Sequence, residues 1–144
     1  MKSEPTFRIA RSLDDLMKVF MVRAIVFMEE QHIRCREEID EHEHSALHVL
    51  GEIESEPVAA GRIRFLGDAA KLERLAVRKE HRRKGYGSEL LAFMIATARD
   101  AGFTRLKLHA QVTARRFYAK QGFEVRGEPF LEVNIEHCLM VKED

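Results

Sequence analysis

The chain has 144 residues, a length that fits one domain. Hydrophobic residues make up 45% of it and charged residues 33%, a globular composition that excludes a disordered chain. Lys plus Arg and Asp plus Glu number 24 each, so the formal net charge is zero, which argues against partners such as nucleic acid or an anionic membrane.

The first third of the chain predicts a strand followed by a helix. Residues 7–9 form a short strand, and Ser12 is a helix N-cap with Asp15 three residues later, as in a capping box. An apolar stripe at helical spacing then runs as far as Phe27. Its members are Leu13, Leu16, Met17, Phe20, Ala24 and Phe27. The polar residues 29–44 predict a loop or a second short helix.

The rest of the chain predicts strands and helices around one sheet. The expected strands are residues 46–53, 58–66, 71–77, 105–111 and 133–141, with another beginning at 123–125; the expected helices are 88–101 and 114–121. A loop is expected around residues 127–134. Gly102 and Gly122 follow the two helices as C-terminal caps. This order predicts a mixed α/β fold in one domain, residues 1–144.

A basic loop between a predicted strand and a predicted helix is the most informative segment. It contains Arg82, Arg83 and Lys84, followed by Gly85 and Gly87. Unpaired N–H groups at a helix N-terminus bind anions, and the glycines let a phosphate approach the backbone closely. The third glycine of the dinucleotide pattern and the Gly-Lys-Ser/Thr of the Walker pattern are both absent from this loop. The alternative interpretation is a solvated basic turn.

Two motifs extend this reading. The chain carries Arg82-x-x-Gly85-x-Gly87 and later Gln111-x-x-Ala114-x-x-Phe117-Tyr118-x-x-x-Gly122-Phe123. The first resembles the coenzyme A motif of the GCN5-related N-acetyltransferase (GNAT) superfamily. The second resembles that superfamily's Asn-x-x-Ala-x-x-Phe-Tyr-x-x-x-Gly-Phe segment, with glutamine in place of the asparagine. The resemblance covers nearly the whole chain. It implies a single GNAT domain of α/β (α+β) class, with a mostly antiparallel sheet that splays at the cofactor cleft.

Two shorter segments narrow the resemblance. Val26-Phe27-x-x-Glu30-Gln31 near the start and Ile135-x-His137 near the end are similar to segments of the ElaA/YjcF-like bacterial branch. Glu136 stands where that branch usually has proline.

The resemblance implies transfer of an acyl group, usually acetyl, from coenzyme A to a primary amine by direct attack in a ternary complex. The pantetheine arm would lie where the strands at 71–77 and 105–111 separate, with the pyrophosphate on the N–H groups of residues 83–88. The implied acetyl-CoA site comprises Leu75, Ala76, Val77, Arg82, Arg83, Lys84, Gly85, Tyr86, Gly87, Ser88, Gln111 and Tyr118. No metal is expected, because the two histidines of His42-x-His44 make a weak ligand pattern.

The strand before the basic loop carries an irregular pattern. Leu72, Leu75 and Val77 switch parity, as a β-bulge would require. A bulge would point one N–H into the cleft, where it can stabilise the oxyanion that develops on the thioester. The alternative is a strand buried on both faces, for which parity carries no meaning.

Candidate catalytic residues follow from the resemblance and from the chemistry. Tyr118 matches the tyrosine that protonates the departing thiolate; its alternative role is that of a core aromatic. The amine must also lose a proton, and Glu73 is the first candidate base. Its alternative role is an ion pair with Arg74 or Lys71. Two histidines, His109 and His137, are further candidates for the base, His109 with the alternative of a core histidine.

Five carboxylates fall where the resemblance places the rim of the acceptor site. They are Glu37, Glu38, Asp40, Glu41 and Glu43. Carboxylates there would favour a cationic amine, but the preferred interpretation is a solvated loop. The expected partner is a small-molecule or protein amine, and the strand at 133–141 offers contacts for a homodimer. The alternative function is a non-catalytic acyl-CoA sensor.

The sequence also sets an expectation for location. The N-terminus lacks a charged start followed by an apolar run, and no apolar stretch approaches the roughly 18 residues that span a bilayer. Cys35 and Cys138 lie far apart in the sequence. We therefore expect a cytoplasmic protein with reduced thiols and no membrane partner.

Overall fold

The computed structural model describes residues 4–143. The strands are β1 (Thr6–Ile9), β2 (Leu47–Ile53), β3 (Glu56–Leu66), β4 (Ala69–Val77), β5 (Arg105–Gln111), β6 (Glu124–Glu132) and β7 (Ile135–Glu143). The helices are α1 (Leu13–Arg23), α2 (Cys35–Glu38), α3 (Tyr86–Asp100) and α4 (Arg115–Ala119). Short 3-10 turns at Lys79–His81 and Val112–Ala114 precede α3 and α4.

Seven strands form one mixed sheet in the order β1-β2-β3-β4-β5-β7-β6. The pair β4–β5 is parallel, and the other neighbouring pairs are antiparallel. The mixed, mostly antiparallel sheet flanked by helices, predicted from the sequence, is confirmed.

The core lies on both faces of the sheet, because alternate residues of each strand point to opposite sides. On one face, α3 buries Leu90, Leu91 and Met94 against strand residues such as Leu72. Gly61 on β3 makes room for α3, since a Cβ there would lie 2.5 Å from the sulfur of Met94. On the other face, a smaller cluster packs residues of α1 against β2, β3 and β4.

The first helix differs from its prediction in two ways. The N-cap is confirmed, because the hydroxyl of Ser12 accepts a hydrogen bond from the N–H of Asp15 at 3.1 Å. The predicted stripe is wrong at Leu13 and Met17, which are 72% and 61% exposed. The buried face instead consists of Val19, Val22, Arg23 and Val26. Leu16 and Phe27 of the predicted stripe are half-buried and pack against this face.

The helix also changes its pitch where the prediction continued it. Residues Ala24–Glu30 form a π-helical turn, in which the backbone N–H groups bond five residues back. Such turns are rare and occur frequently at functional sites. This turn brings Glu30 and Gln31 towards the ends of β4 and β5, as described below.

The C-terminal hairpin corrects two boundaries. β6 continues to Glu132, although the sequence predicts a loop over residues 127–134. β6 is an exposed edge strand with a bulge between Arg126 and Phe130, so it needs no alternation of apolar residues. Val133, predicted as the first residue of the last strand, lies in the turn with a φ of 46°. A positive φ is unusual for a β-branched residue.

None of the helices among residues 4–143 combines the length and apolar character required to cross a membrane.

Candidate active site

The sheet opens between its two parallel strands. β4 and β5 pair at Ala69–Arg105, Ala70–Leu106 and Lys71–Lys107. In the described chain, no ladder pair joins the two strands beyond Lys71. The remaining six residues of β4 therefore diverge from β5 and form one wall of a cleft.

A β-bulge on β4 marks this cleft. Arg62 on β3 pairs with Glu73, but Ala60 pairs with Ala76, so Arg74 and Leu75 together oppose one residue of β3. Arg74 has a φ of 56°, in the left-handed region. The bulge predicted from the change of parity is confirmed. It leaves one residue out of the β3–β4 ladder, on the part of β4 that diverges from β5.

One cavity of about 460 Å³ lies along the C-terminal part of β4 and the start of α3. Eight of the residues predicted to bind the cosubstrate line it: Leu75, Ala76, Val77, Arg82, Arg83, Gly85, Gly87 and Ser88. Ala114 and Phe117 complete the opposite wall. We call this cavity the cofactor cleft.

Two glycines shape the floor of the cofactor cleft. Gly85 is the N-cap of α3 with a φ of 85°, a conformation that other residues rarely adopt. A Cβ on Gly87 would lie 3.3 Å from the ring of Phe117. The first N–H groups of the 15-residue α3 therefore open onto the cleft with the positive end of the helix dipole behind them. The site suits an extended anion such as a pyrophosphate.

The basic side chains of the loop do not all point into this cleft. Arg82 forms a bidentate ion pair with Glu30 at 2.6 and 2.7 Å, and its Nε donates to the carbonyl of Val77 at 2.8 Å. Lys84 is exposed. The side chain of Tyr86 is buried in the core, so this residue can contribute only its backbone N–H to the loop. Arg82 thus ties the π-helical turn to the end of β4.

A second cavity of about 310 Å³ lies on the α1 side of the sheet. Leu75 lines both cavities, so they adjoin at the bulge. The other residues that line the second cavity include Phe27, Ile33, Glu37, Glu38, Asp40, His42, Arg64, Lys71, Glu73, Arg74, His109, Gln111, Glu132, Val133 and His137. We call it the acceptor cavity.

A buried ionic network adjoins the acceptor cavity, which two of its carboxylates, Glu38 and Asp40, line. Arg23 is 1% exposed and binds Glu38 at 2.5 Å and Glu43 at 2.8 Å. Arg62 is fully buried and binds Asp40 at 2.8 Å as well as Glu43 at 3.1 Å. The solvated loop preferred from the sequence is therefore wrong for these three carboxylates.

The two arginines keep Asp40 and Glu43 ionised. Burial alone would raise the pKa of Glu43, but hydrogen bonds from Arg23 and the charge of that residue lower it to about 2. Burial alone would also raise the pKa of Asp40, but hydrogen bonds from Arg62 hold that pKa well below its ordinary value. The sequence held a signal for this network, because Arg62 and Arg23 interrupt otherwise apolar patterns.

Glu73, the first candidate base, lies in the acceptor cavity with both oxygens engaged. Oε1 accepts from Nε and Nη2 of Arg62 at 3.0 and 2.6 Å, while Oε2 contacts Lys71 at 2.9 Å and Arg64 at 3.5 Å. Burial alone would raise its pKa, but the charge of Arg62 and the hydrogen bond from Lys71 lower it. A carboxylate with four contacts has little capacity to accept a further proton.

Two histidines share another carboxylate in the same cavity. His109 Nδ1 lies 2.9 Å from Oε1 of Glu132, and His137 Nε2 lies 3.8 Å from Oε2. The hydrogen bond from His109 lowers the pKa of Glu132. Phe130 packs edge-on against the ring of His109 at 5.0 Å. Sequence reasoning missed Glu132, which falls in the expected loop and reaches the histidines through the β6–β7 hairpin.

Of the remaining predicted residues, Gln111 lines the acceptor cavity, whereas Tyr118 lines neither cavity. Tyr118 is half-buried and packs edge-on against Phe117 at 5.0 Å, whereas Phe117 itself lines the cofactor cleft. Burial raises the pKa of Tyr118 to about 12. Gln111 lines the acceptor cavity, and its amide donates to Oε1 of Gln31 at 3.0 Å.

Comparison with known proteins agrees with this geometry. Residues 22–144 match the family model of the acetyltransferase (GNAT) domain. The chain is 38% identical over 136 residues to the uncharacterized N-acetyltransferase YjcF of Bacillus subtilis (strain 168), and the match covers 94% of this chain and 97% of YjcF.

Solved structures show the same architecture. ElaA of Escherichia coli has a TM-score of 0.86 and 25% identity, covering 99% of this chain and all of ElaA. A GNAT family acetyltransferase from Elizabethkingia anophelis with acetyl-CoA bound has a TM-score of 0.75 over 99% of each chain. It is 18% identical, so it shows the fold alone.

Proposed function

Because the chain belongs to the GNAT acetyltransferase family, we propose that it transfers acetyl from acetyl-CoA to a primary amine. Amine and thioester would meet in a ternary complex, and the amine would attack the thioester carbonyl directly. The observation that carries this proposal is the junction at Leu75. There the cleft at the start of α3 adjoins a separate polar cavity, beside a bulge in β4.

Each part of the cofactor cleft has a role in this proposal. The N–H groups at the start of α3 bind the pyrophosphate, and Arg83 adds positive charge at the rim. The backbone of Leu75, Ala76 and Val77 pairs with the amides of the pantetheine arm. The freed N–H of the bulge donates to the thioester oxygen, where negative charge develops during attack.

We assign the proton transfers to two side chains. Tyr118 donates a proton to the departing thiolate. The phenol is protonated at neutral pH already at its ordinary pKa of 10, and burial raises that pKa to about 12. His109 accepts the proton from the amine. Glu132, as a carboxylate, accepts from Nδ1–H of His109, which leaves the lone pair of Nε2 for the amine. We prefer His109 to Glu73, whose oxygens are already engaged.

A matched pair of glycine substitutions tests the cosubstrate site. Gly85 and Gly67 both have positive φ, 85° and 62°, and at either position a Cβ would meet no other heavy atom within 4 Å. Gly85→Val and Gly67→Val should therefore lose similar amounts of stability, roughly 1–3 kcal/mol. Only Gly85→Val should weaken acetyl-CoA binding, by tenfold or more in a calorimetric titration.

Two results would count against the proposal. Equal affinities of the two variants would mean that the start of α3 does not hold the pyrophosphate. Tight binding of acetyl-CoA without release of free thiol, over a broad panel of amines, would instead favour the acyl-CoA sensor.

A further inference from the structure

The ionic network around the acceptor cavity does not balance its own charge. Over the described residues, the contacts join five cations (Arg23, Arg62, Arg64, Lys71, Arg74) to four carboxylates (Glu38, Asp40, Glu43, Glu73). His48 adjoins the network, and burial lowers its pKa, which favours its neutral form. The network itself therefore carries one excess positive charge, while two further carboxylates that line the cavity, Glu37 and Glu132, lie outside it.

The excess donors belong to Arg64 and Lys71. These residues face each other across the β3–β4 ladder and both line the acceptor cavity. In residues 4–143 each makes one ion pair, to the same oxygen of Glu73, although a lysine offers three N–H donors and an arginine five. Their side chains are 15–18% exposed and line the cavity, so the donors left over are largely withdrawn from bulk water. Such half-buried donors favour an anionic partner.

The carboxylates of the same wall offer nothing comparable to a cation. Glu73 accepts at both oxygens, while Glu38 and Asp40 are held by arginines. The proton acceptor of the proposed function, Nε2 of His109, belongs to the other strand that lines the cavity, β5, and Nδ1 of the same ring is bound to Glu132. The cavity is thus dipolar, with donors at one end and a proton acceptor at the other.

Resting on the proposed function, we infer that the acceptor is a small amine that also carries a carboxylate, bound by Lys71 and Arg64. Its amino group points towards His109 and Leu75. Lys71 pairs with Lys107 on β5, and His109 lies two residues further along that strand. The Cα atoms of Lys71 and His109 are therefore roughly 8 Å apart or more. A cavity of about 310 Å³ holds the volume of about ten waters, which suits an amino acid rather than a folded protein surface.

The test compares matched probes that differ in one charge. Straight-chain ω-amino acids from glycine to 6-aminohexanoate are assayed as acceptors beside their primary amides, following the release of free thiol from acetyl-CoA. Each acid should exceed its amide in kcat/KM at the chain lengths that react, by about tenfold. Lys71→Met should raise KM for the acids about tenfold and leave KM for the amides and the Kd of acetyl-CoA unchanged, and Lys71→Arg should restore the acids.

Lys107→Met is the matched control, because it removes a lysine from the paired position on β5 that does not line the cavity. It should leave the difference between acids and amides intact. Acids and amides with equal kcat/KM, or an equal loss for both in Lys71→Met, would overturn the inference while leaving the acetyltransferase activity in place.

A binding measurement covers the case in which none of these amines reacts. Glutarate and glutaramide are titrated calorimetrically into the complex with coenzyme A. Glutarate alone should bind, with a Kd on the order of millimolar that weakens in Lys71→Met. Absence of heat with glutarate would reject the carboxylate site, whereas absence of heat with coenzyme A would reject the proposed function instead.

Discussion

At the scale of one residue, a substitution at Tyr118 distinguishes a catalytic role from a packing role. Its ring lies among Phe117 and Phe123, and Tyr118→Phe keeps these contacts. We expect the variant to bind acetyl-CoA with unchanged Kd and to lose kcat by about 10²–10⁴-fold, the usual contribution of a general acid. Single-turnover thiol release and a calorimetric titration measure the two quantities. A variant with undiminished kcat would show that Tyr118 is only a core aromatic.

His109 offers a second test at this scale. The proposal gives it the role of base, so His109→Gln should lower kcat/KM for the amine by about 10²-fold or more. His44→Gln is the control, because His44 is an exposed histidine of the neighbouring polar segment. We expect His44→Gln to retain activity within twofold. Should Glu73→Gln lose activity while His109→Gln keeps it, the base would be Glu73, as the sequence predicts.

At the scale of elements, the π-helical turn and the residue after it connect the ends of β4 and β5 on either side of the cleft. Glu30 at its end binds Arg82 near the end of β4, and Gln31 accepts a hydrogen bond from Gln111 at the end of β5. Phe27 from the same turn and Ile33 just after it line the acceptor cavity. One segment thus contacts both diverging strands and shapes the site for the amine.

The ion pair between Glu30 of this turn and Arg82 predicts the direction of a change in the Kd of coenzyme A. If Arg82 binds the pyrophosphate, as its motif implies, it must exchange Glu30 for phosphate oxygens. Glu30→Gln removes that competition, so the Kd of coenzyme A should fall by about two- to fivefold, the scale of an exposed ion pair. Glu29→Gln, an exposed neighbour with the same charge change, should have no effect. A Kd that rises in Glu30→Gln would assign Arg82 to holding the loop rather than the ligand.

Local patterns were sufficient for most elements and for the cofactor cleft, because each depends on a short stretch of chain. The bulge at Leu75 and the glycine loop were readable in this way, and family membership followed from two motifs. The edge strand β6 and the buried face of α1 were not, since both depend on what packs against them. The partners of Glu73 and His109 come from distant strands, so no local spacing could show them.

Across the whole molecule, basic and acidic residues are equal in number but are not evenly distributed. The formal net charge is zero, yet Arg23, Arg62 and their carboxylate partners lie together under the acceptor cavity. Buried ion pairs gain little over an apolar core, but removing one partner costs about 3–5 kcal/mol. The network therefore makes the stability of the fold depend on the ionisation of a few acids.

The dependence on pH has a predictable direction. Glu43 has a pKa of about 2 in the folded protein and an ordinary value of 4.5, so its contribution is complete above pH 4.5 and is lost as the pH falls towards 2. This difference corresponds to about 3 kcal/mol. The lowered pKa of buried His48 acts in the same direction from about pH 6.5 downwards, since the unfolded chain then binds a proton that the folded chain resists.

Urea denaturation between pH 3 and pH 8 tests this directly. The free energy of unfolding should be nearly level above about pH 7 and should decline on acidification, most steeply below pH 4.5. Glu43→Gln should be less stable at neutral pH and should show a shallower decline, because it removes one of the groups that titrate. Glu41→Gln, an exposed neighbour, should reproduce the parent curve. A parent protein equally stable at pH 3 and pH 7 would show that the network does not stabilise the fold through its charges.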